Sequence, residues 1–457
     1  MESLFKVKIN WIIFFISILL VRILFPFISW FSYIAIVITI HHFLLLFYSL
    51  NYVIPIRYLF GTFMCLQMFV GAVLAYNGVD KLQPSLYQMK ITEDVYFSYV
   101  IPAVVFFIIG LHYKAGKLKG EALDIPSINL FAKRYPLIAY YFIAIGLVSS
   151  FLSGASGGLA FVFYLISNFK FIGAFILVLS DQRLKIVPLI LIYGSVISSS
   201  LVGGLFHDLI TWLILLGAVI SIKFKPSSLM KFVFFVFFVL LTITIQQLKN
   251  SYRSALLNNR ESGLKTFKET YDAAESQNRI FDNTALAKSS LRINQGFIIT
   301  NIMKKVPAEI PFSNGTELLQ ILEAAFLPRI LAPNKLNAGD KQIFTKYTGI
   351  KLHGGTSMGL SSVGDAYINF GIFGGCIFMF LLGLLYNQVL KGFYKFSKNL
   401  PLLLLFTTIV FFFPIRPDSE LQTNLGHLVK GCFAIFLVFT IWKKQLSDNK
   451  NMPVISS

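Results

Sequence analysis

The chain has 457 residues, of which 56% are hydrophobic, 16% are aromatic and 13% are charged, with a mean hydropathy of +0.71. Soluble domains carry roughly 25% charged residues, so this composition excludes an ordinary soluble protein. The net charge of +19 would suit a phosphate-rich partner, but Lys and Arg also collect in the cytoplasmic loops of membrane proteins. We therefore expect an integral membrane protein with no nucleic-acid partner.

Apolar runs long enough to cross the hydrocarbon core of a bilayer, which takes about 20 helical residues, recur along the whole chain. They predict an all-α polytopic membrane protein with about twelve transmembrane helices. The predicted spans are 9–26, 28–48, 57–76, 96–112, 136–152, 158–180, 186–203, 207–222, 232–247, 366–390, 400–415 and 426–442.

The basic residues predict the orientation of these spans. With the N-terminus in the cytoplasm, the inside segments hold 19 Lys and Arg, whereas the short outside loops hold only Lys81, Lys90 and Arg416. This asymmetry predicts that both termini are cytoplasmic. The chain then divides into transmembrane helices one to nine (1–247), an outer segment (248–365), helices ten to twelve (366–442) and a cytoplasmic tail (443–457).

The outer segment between spans nine and ten is the main polar part of the chain. Residues 247–364 hold 15 Lys and Arg and nine of the 21 acidic residues. Within them, 266–280 is rich in helix-forming residues, and 317–327 places apolar residues at helical spacing before Pro328 ends the pattern. Loops of this length are usually functional.

Four cations in this segment are candidates for binding an anionic substrate. Arg253 and Arg260 follow span nine, whereas Arg329 and Lys335 each come shortly after a proline. The guanidinium group of arginine forms paired hydrogen bonds that match phosphate oxygens. The alternative is that these side chains reach towards lipid headgroups or are simply solvated.

Further candidates lie beside or within the spans. His353 precedes two glycines. Asp365 stands at the predicted outer end of span ten, and a carboxylate at the edge of a bilayer is energetically costly, which suggests a functional role. Arg416 lies in the loop after span eleven, and Lys170 near the middle of span six. A solvated loop residue or a structural ion pair is the alternative in each case.

No P-loop, GxGxxG, HExxH or CxxC pattern occurs in a usable context. The missing ATP-binding pattern argues against a primary pump. It also suggests that any reaction draws its energy from an activated substrate.

One stretch of about fifty residues resembles a known family. A Pro-Arg pair, a Pro-x-Lys, a glycine and then GDAYINFGIFGG at the start of a late span are similar to patterns in Wzy-type O-antigen and oligosaccharide repeat-unit polymerases. The matching residues are Pro328, Arg329, Pro333, Lys335, Gly339, Gly364, Asp365, Ala366, Tyr367, Asn369, Phe370, Gly371 and Gly374. The arrangement of many spans with one large outer loop before the last few is also similar.

The resemblance implies a GT-C-like glycosyltransferase fold with a large helical extracytoplasmic loop between helices nine and ten. The enzyme would polymerise undecaprenyl-pyrophosphate-linked repeat units of lipopolysaccharide in the bacterial cytoplasmic (inner) membrane, without metal or cofactor. Its partners would be the lipid-linked oligosaccharide, membrane lipids, a chain-length regulator and a flippase.

The resemblance also suggests roles for the candidate residues. Asp365 or His353 would act as the catalytic base, and Arg253, Arg260, Arg329, Lys335 and Arg416 would bind the pyrophosphate or the glycan.

Two other functions remain open at this point. An O-antigen ligase-type enzyme would share the fold and donor but use a lipid A-core acceptor. A lipid-linked glycan flippase or transporter is favoured by Lys170, but the long outer segment argues against it.

Overall fold

The computed structural model describes residues 7–82, 85–115, 121–153, 160–180, 186–203, 206–259, 264–276, 293–327, 331–337, 339–352, 358–442 and 446. Within these ranges the chain is helical and contains no β-strand. This agrees with the expected all-α fold.

Nineteen α-helices are numbered here in chain order, and they define the architecture of the described residues. They are α1 (Trp11–Leu24), α2 (Trp30–Ser49), α3 (Ile56–Cys65), α4 (Gly71–Tyr76), α5 (Glu93–His112), α6 (Ile125–Arg134), α7 (Ile138–Ser153), α8 (Ala160–Ser167), α9 (Phe169–Leu179), α10 (Ile186–Gly203), α11 (His207–Phe224), α12 (Ser228–Asn259), α13 (Leu264–Ser276), α14 (Gly296–Lys305), α15 (Thr316–Phe326), α16 (Lys341–Thr348), α17 (Ser361–Phe396), α18 (Thr407–Val410) and α19 (Leu421–Ile441). A π-helical turn (Leu66–Val70) joins α3 to α4, and 3₁₀ turns occupy Val79–Leu82, Ser85–Tyr87 and Leu403–Phe406.

Eight helical stretches of the described chain are long and apolar enough to cross a bilayer. They are Trp30–Ser49, Ile56–Tyr76, Glu93–His112, Ala160–Leu179, His207–Phe224, Ser228–Ile245, Ser361–Phe396 and Leu421–Ile441. A ninth exists if α6 and α7, which meet at a bend of 84°, count as one span. The protein is therefore compatible with a multi-pass membrane location, and each of these stretches overlaps a predicted span.

The remaining predicted spans take other forms. The first and seventh correspond to shorter apolar helices, Trp11–Leu24 and Ile186–Val202. The eleventh, 400–415, is not one helix: it holds a 3₁₀ turn and the four-residue helix α18, followed by turns. Residues 401–412 are buried throughout, and irregular backbone at membrane depth is tolerated where protein surrounds it.

This irregular segment nevertheless crosses the bundle. The backbone N–H of Leu421, at the start of α19, donates to the carboxylate of Asp365 near the start of α17. The two helices therefore begin at the same end of the bundle. Because α17 continues for 25 residues, or about 37 Å, after its kink at Gly371, residues 397–420 must return across the bundle. We call the two ends of the bundle the Asp365 end and the Arg57 end.

Among the described helices, α5 and α17 share the most extensive contact. Two glycines let them approach: a Cβ on Gly110 would lie 2.1 Å from the carbonyl oxygen of Phe380, and one on Gly383 would lie 2.1 Å from that of Phe107. Close backbone approach through small residues is the usual way for transmembrane helices to pack. This contact fixes α17, and with it Asp365, in the bundle.

A buried polar cluster holds the opposite end together. The Arg57 guanidinium group pairs with the Glu121 carboxylate at 2.9 Å and donates to the side-chain oxygen of Asn387 at 2.8 Å. Arg57 is 1% exposed and Glu121 is 5% exposed. The Asn387 amide in turn donates to the carbonyl oxygen of Tyr113. The cluster thus connects α3 and α17 to the segment after α5.

The segment predicted to lie outside packs against the Asp365 end. All residues of α14 from Gly296 to Met303 are buried, and the Gln295 N–H donates to the carbonyl oxygen of Gln67 in the π-helical turn. Helix α15 packs against α19. The predicted helix at 317–327 is confirmed at Thr316–Phe326. The one predicted at 266–280 is confirmed as far as Ser276, and residues 277–280 lie outside the described residues.

Candidate functional site: an acidic pocket at the Asp365 end

Asp365 lies inside helix α17 and not at the outer end of a span, where the sequence placed it. Helix α17 begins at Ser361, four residues before Asp365, so the boundary expected at 365–366 falls inside its second turn. The side chain is 6% exposed. Its Oδ2 accepts the Leu421 N–H at 3.1 Å, and the positive end of the α19 dipole favours a carboxylate at this position.

Asp365 lines a recess that opens to solvent. Three other carboxylic acids line the same space: Glu317 of α15, Asp340 before α16 and Glu420 before α19. The other lining residues are Ile321, Leu336, Ile343, Phe344, Tyr347, Met358, Leu360, Ile368 and Gln422. We call this space the acidic pocket. Its mix of apolar walls with a few polar groups is typical of small-molecule sites.

Each of the other acids is held by specific donors. Glu317 Oε1 accepts from Lys346 Nζ at 2.8 Å and from the Tyr347 hydroxyl at 2.7 Å. Glu420 Oε1 accepts from the Gly339 N–H at 2.7 Å and from the hydroxyl of the neighbouring Thr423.

Asp340 is the N-cap of α16. Its Oδ1 accepts the Gln342 N–H at 2.8 Å and the Ile343 N–H at 3.3 Å. The four carboxylates therefore have fixed positions around the pocket.

Burial affects the ionisation of two lining groups outside the spans. Desolvation raises the pKa of Glu420 above its ordinary value; the hydrogen bonds from Gly339 and Thr423 oppose that rise, and the charge of Asp340 adds to it. Burial also raises the pKa of Tyr347 to about 12, so its hydroxyl stays protonated and can donate to Glu317. Among the described residues, no three His, Cys, Asp or Glu side chains are grouped closely enough to hold a metal ion.

Asn369 has a structural role. Its Oδ1 accepts the Leu318 N–H at 3.1 Å and the Ser313 hydroxyl at 2.7 Å, and its amide donates to the Asp365 carbonyl oxygen at 2.8 Å. This side chain thus ties the first turns of α15 to α17. It keeps Glu317 and Asp365 on the same pocket.

Gly371, which is part of the motif, kinks α17. Its φ of +65° lies in the left-handed region that favours glycine. A Cβ there would also lie 3.1 Å from the Phe312 ring. The kink separates the first ten residues of α17, which carry Asp365, from the longer apolar part of the helix.

Two of the candidate cations have partners within the protein. Lys335 Nζ donates to the carbonyl oxygens of Ala324, at 3.0 Å, and Leu327, at the end of α15. Cations commonly satisfy the last carbonyls of a helix. Arg416 pairs with Asp208 at 2.9 Å, and its guanidinium carbon lies 4.1 Å from the centre of the Phe412 ring.

The residue before Arg253 packs against the residue that precedes the helix of Asp208. The preceding residue, Tyr252, donates its hydroxyl to the Leu201 carbonyl oxygen at 2.9 Å and packs its ring against Phe206. Phe206 is two residues before Asp208. The Arg253 side chain, and all of Arg260, Arg329 and His353, lie outside the described residues.

Sequence reasoning missed most of the acidic pocket. Glu317, Asp340 and Glu420 come from three separate segments, and no spacing relates them to Asp365. The one available signal was that Asp340 and Glu420 each directly precede a helix, where carboxylates stabilise the helix start.

The described chain is a helical bundle with eight apolar stretches compatible with a multi-pass membrane protein, and it carries an acidic pocket at one end. A family described as a domain of unknown function, DUF8712, matches residues 128–395, which is more than half of the chain, and the chain belongs to that family. The match includes Glu317, Asp340 and Asp365 but ends before Glu420. No curated protein and no solved structure matches the chain.

Proposed function

We propose that this protein is a glycosyltransferase that polymerises undecaprenyl-pyrophosphate-linked oligosaccharide repeat units at the outer face of the bacterial cytoplasmic membrane. In this proposal it is a Wzy-type polymerase with a GT-C-like fold. The chain crosses the membrane twelve times, with 400–415 crossing as irregular backbone, and both termini are cytoplasmic. The observation that carries the proposal is the buried side chain of Asp365, which lines the acidic pocket together with three other carboxylic acids.

Asp365 is suited to act as a general base. Its Oδ2 is held by the Leu421 N–H, so the carboxylate has a fixed direction, and it lines the pocket without a described cation bonded to it. A hydroxyl of the acceptor sugar in the pocket would transfer its proton to this carboxylate as its oxygen attacks the anomeric carbon of the donor. A new glycosidic C–O bond forms, and the bond from the anomeric carbon to pyrophosphate breaks.

The pyrophosphate leaves with the bonding electrons and needs positive charge to stabilise it. Within the described side chains the acidic pocket supplies one bonded cation, Lys346, which is paired with Glu317. In this proposal the donor pyrophosphate therefore lies next to the pocket and is bound by Arg416 and Arg253. Arg416 lies four residues before Glu420 on one loop, which places a cation near the acidic pocket. Arg260 and Arg329 complete the proposed set of phosphate-binding residues.

The surface polysaccharide of a deletion strain tests this function. Without a polymerase we expect the long-chain ladder to disappear while a single repeat unit stays attached to the lipid A-core. Loss of all attached polysaccharide would instead indicate a ligase. Lipid-linked repeat units trapped on the cytoplasmic side of the membrane would indicate a flippase.

A further inference from the structure

Arg416 and Asp208 form an ion pair whose two members differ in burial. Arg416 Nη2 lies 2.9 Å from Asp208 Oδ1, and the Arg416 side chain is 7% exposed, whereas that of Asp208 is 47% exposed. The cation is therefore fixed in the protein, and the carboxylate can turn away into solvent. On the proposed function, on which this inference rests, we infer that Asp208 is a built-in counter-anion that the donor diphosphate displaces from Arg416.

The pair uses little of the hydrogen-bonding capacity of Arg416. A guanidinium group binds carboxylates and phosphates best through two parallel N–H groups on one edge, and Nε and Nη2 form such an edge. Asp208 accepts from Nη2, whereas Arg416 Nε is buried and has no hydrogen-bond partner among the described residues. A buried donor left unpaired is costly. A phosphate group in place of Asp208 could accept from Nε and Nη2 together.

Two aromatic rings hold the guanidinium group in place without Asp208. The central guanidinium carbon of Arg416 lies 4.1 Å from the centre of the Phe412 ring and 4.9 Å from that of Phe413. Contacts of this kind stabilise a cation over an aromatic face. Arg416 therefore stays oriented when Asp208 leaves it, so the incoming anion meets a preformed cation.

His427 provides a second unpartnered polar atom beside the same rings. It is 1% exposed, and its ring centre lies 4.9 Å from that of Phe413. Nε2 donates to the Ile409 carbonyl oxygen at 2.8 Å, and Nδ1 is buried without a partner in the part of the chain that the structure describes. A neighbouring anion favours the protonated form of a histidine, in which Nδ1 becomes a donor. The unpaired atoms of Arg416 and His427 thus both suit an anion with several oxygens.

The start of α11 also favours negative charge where Asp208 stands. Asp208 lies in the first turn of this helix, where the positive end of the helix dipole stabilises an anion. A diphosphate carries more negative charge and more acceptor oxygens than one carboxylate. It can therefore replace Asp208 at a position that already favours an anion.

Binding of two diphosphates to the full-length protein in phosphatidylcholine nanodiscs tests this inference. Farnesyl pyrophosphate carries a lipid-linked diphosphate, and inorganic pyrophosphate is the free form. We expect Asp208→Asn to bind both about tenfold or more tightly than the wild-type chain, because apparent affinity falls with the fraction of protein whose site is closed. The asparagine oxygen can still accept the Arg416 N–H, so the thermal unfolding midpoint should change little.

Two further variants assign the gain to Arg416. The double variant Asp208→Asn/Arg416→Gln should show no gain, because it lacks the guanidinium group that Asp208→Asn exposes to the ligand. Glu309→Gln removes a charge of the same sign from the ion pair with Lys305, and it should leave the affinity for both probes unchanged.

Three results would overturn the inference: no tighter binding by Asp208→Asn, a gain that persists in the double variant, or a gain for farnesyl pyrophosphate alone, which would place the effect on the lipid chain. A lower unfolding midpoint without tighter binding would mean that the ion pair is purely structural.

These results are separate from the proposed function. Loss of the polysaccharide ladder on deletion, with no gain in Asp208→Asn, would leave the polymerase standing and reject the role of Asp208 as a counter-anion. The expected gain with an unchanged ladder would support the diphosphate site and reject polymerisation.

Discussion

Asp365→Asn is expected to stop polymer formation while leaving the protein in the membrane at a normal level. Asparagine has nearly the same size, and its side-chain oxygen can still accept the Leu421 N–H that Asp365 accepts at 3.1 Å. It cannot accept a proton from a sugar hydroxyl. Loss of general-base help typically lowers a rate by roughly 10²- to 10⁴-fold, so we expect the long-chain ladder to vanish.

Asp418→Asn is the matched control for this variant. Asp418 is an acid on the loop before α19, and its carboxylate faces the Gln67 amide at 3.5 Å and does not line the acidic pocket. The Asp418→Asn variant should retain a near-normal polysaccharide ladder. His353→Ala should be milder than Asp365→Asn. A normal ladder in Asp365→Asn together with none in His353→Ala would move the role of the base to His353.

Arg57→Leu should produce the largest loss of stability. The substitution leaves the Glu121 carboxylate, 5% exposed, without its cation. Removing one partner of a buried ion pair typically costs about 3–5 kcal/mol, whereas replacing both partners by apolar residues is often neutral. We therefore expect a large fall in the thermal unfolding midpoint of the purified protein, and recovery of most of it in the double variant Arg57→Leu/Glu121→Leu.

An exposed ion pair provides the comparison. Lys305 and Glu309 lie 3.7 Å apart, and the Glu309 side chain is 61% exposed; pairs of this kind contribute little, about 0–1 kcal/mol. Glu309→Gln should leave the midpoint almost unchanged. A fall no larger for Arg57→Leu than for Glu309→Gln would show that the buried pair does not stabilise the Arg57 end.

Much of the fold followed from hydropathy because each helix has to match the bilayer individually. Trp30–Ser49, Glu93–His112 and Leu421–Ile441 are long apolar helices that local composition is enough to predict. Residues 400–415 have the same composition but are surrounded by other helices. Since irregular backbone is then tolerated, composition alone could not distinguish this segment from a regular span.

The candidate site was harder to predict because it is assembled from distant segments. Asp365 stood out as a carboxylate at a predicted membrane edge. Its partner Leu421 is 56 residues further along the chain, and Glu317 comes from a separate helix. Asn369 and Gly371 were recognised as parts of a motif. In the structure, the Asn369 side chain caps the start of α15, and Gly371 has a left-handed backbone conformation that kinks α17. A sequence motif does not reveal these roles.

The contacts of the cations could not be predicted from the sequence. Lys335 and Arg416 were predicted to bind substrate because of their charge and position in loops, and that role stays a prediction. In the structure, Lys335 donates to the end of α15 and Arg416 pairs with Asp208. A sequence shows where a charge lies along the chain, but which group it faces depends on tertiary packing.

Polymerisation by the purified protein tests the central claim most directly. The full-length chain would be placed in nanodiscs with a defined undecaprenyl-pyrophosphate-linked repeat unit, and the products separated by length. We expect a ladder of two or more repeat units together with released undecaprenyl pyrophosphate, and neither product with Asp365→Asn. A repeat unit that stays intact in the presence of well-folded protein, or equal product from Asp365→Asn, would contradict the proposed function or the role of Asp365 in it.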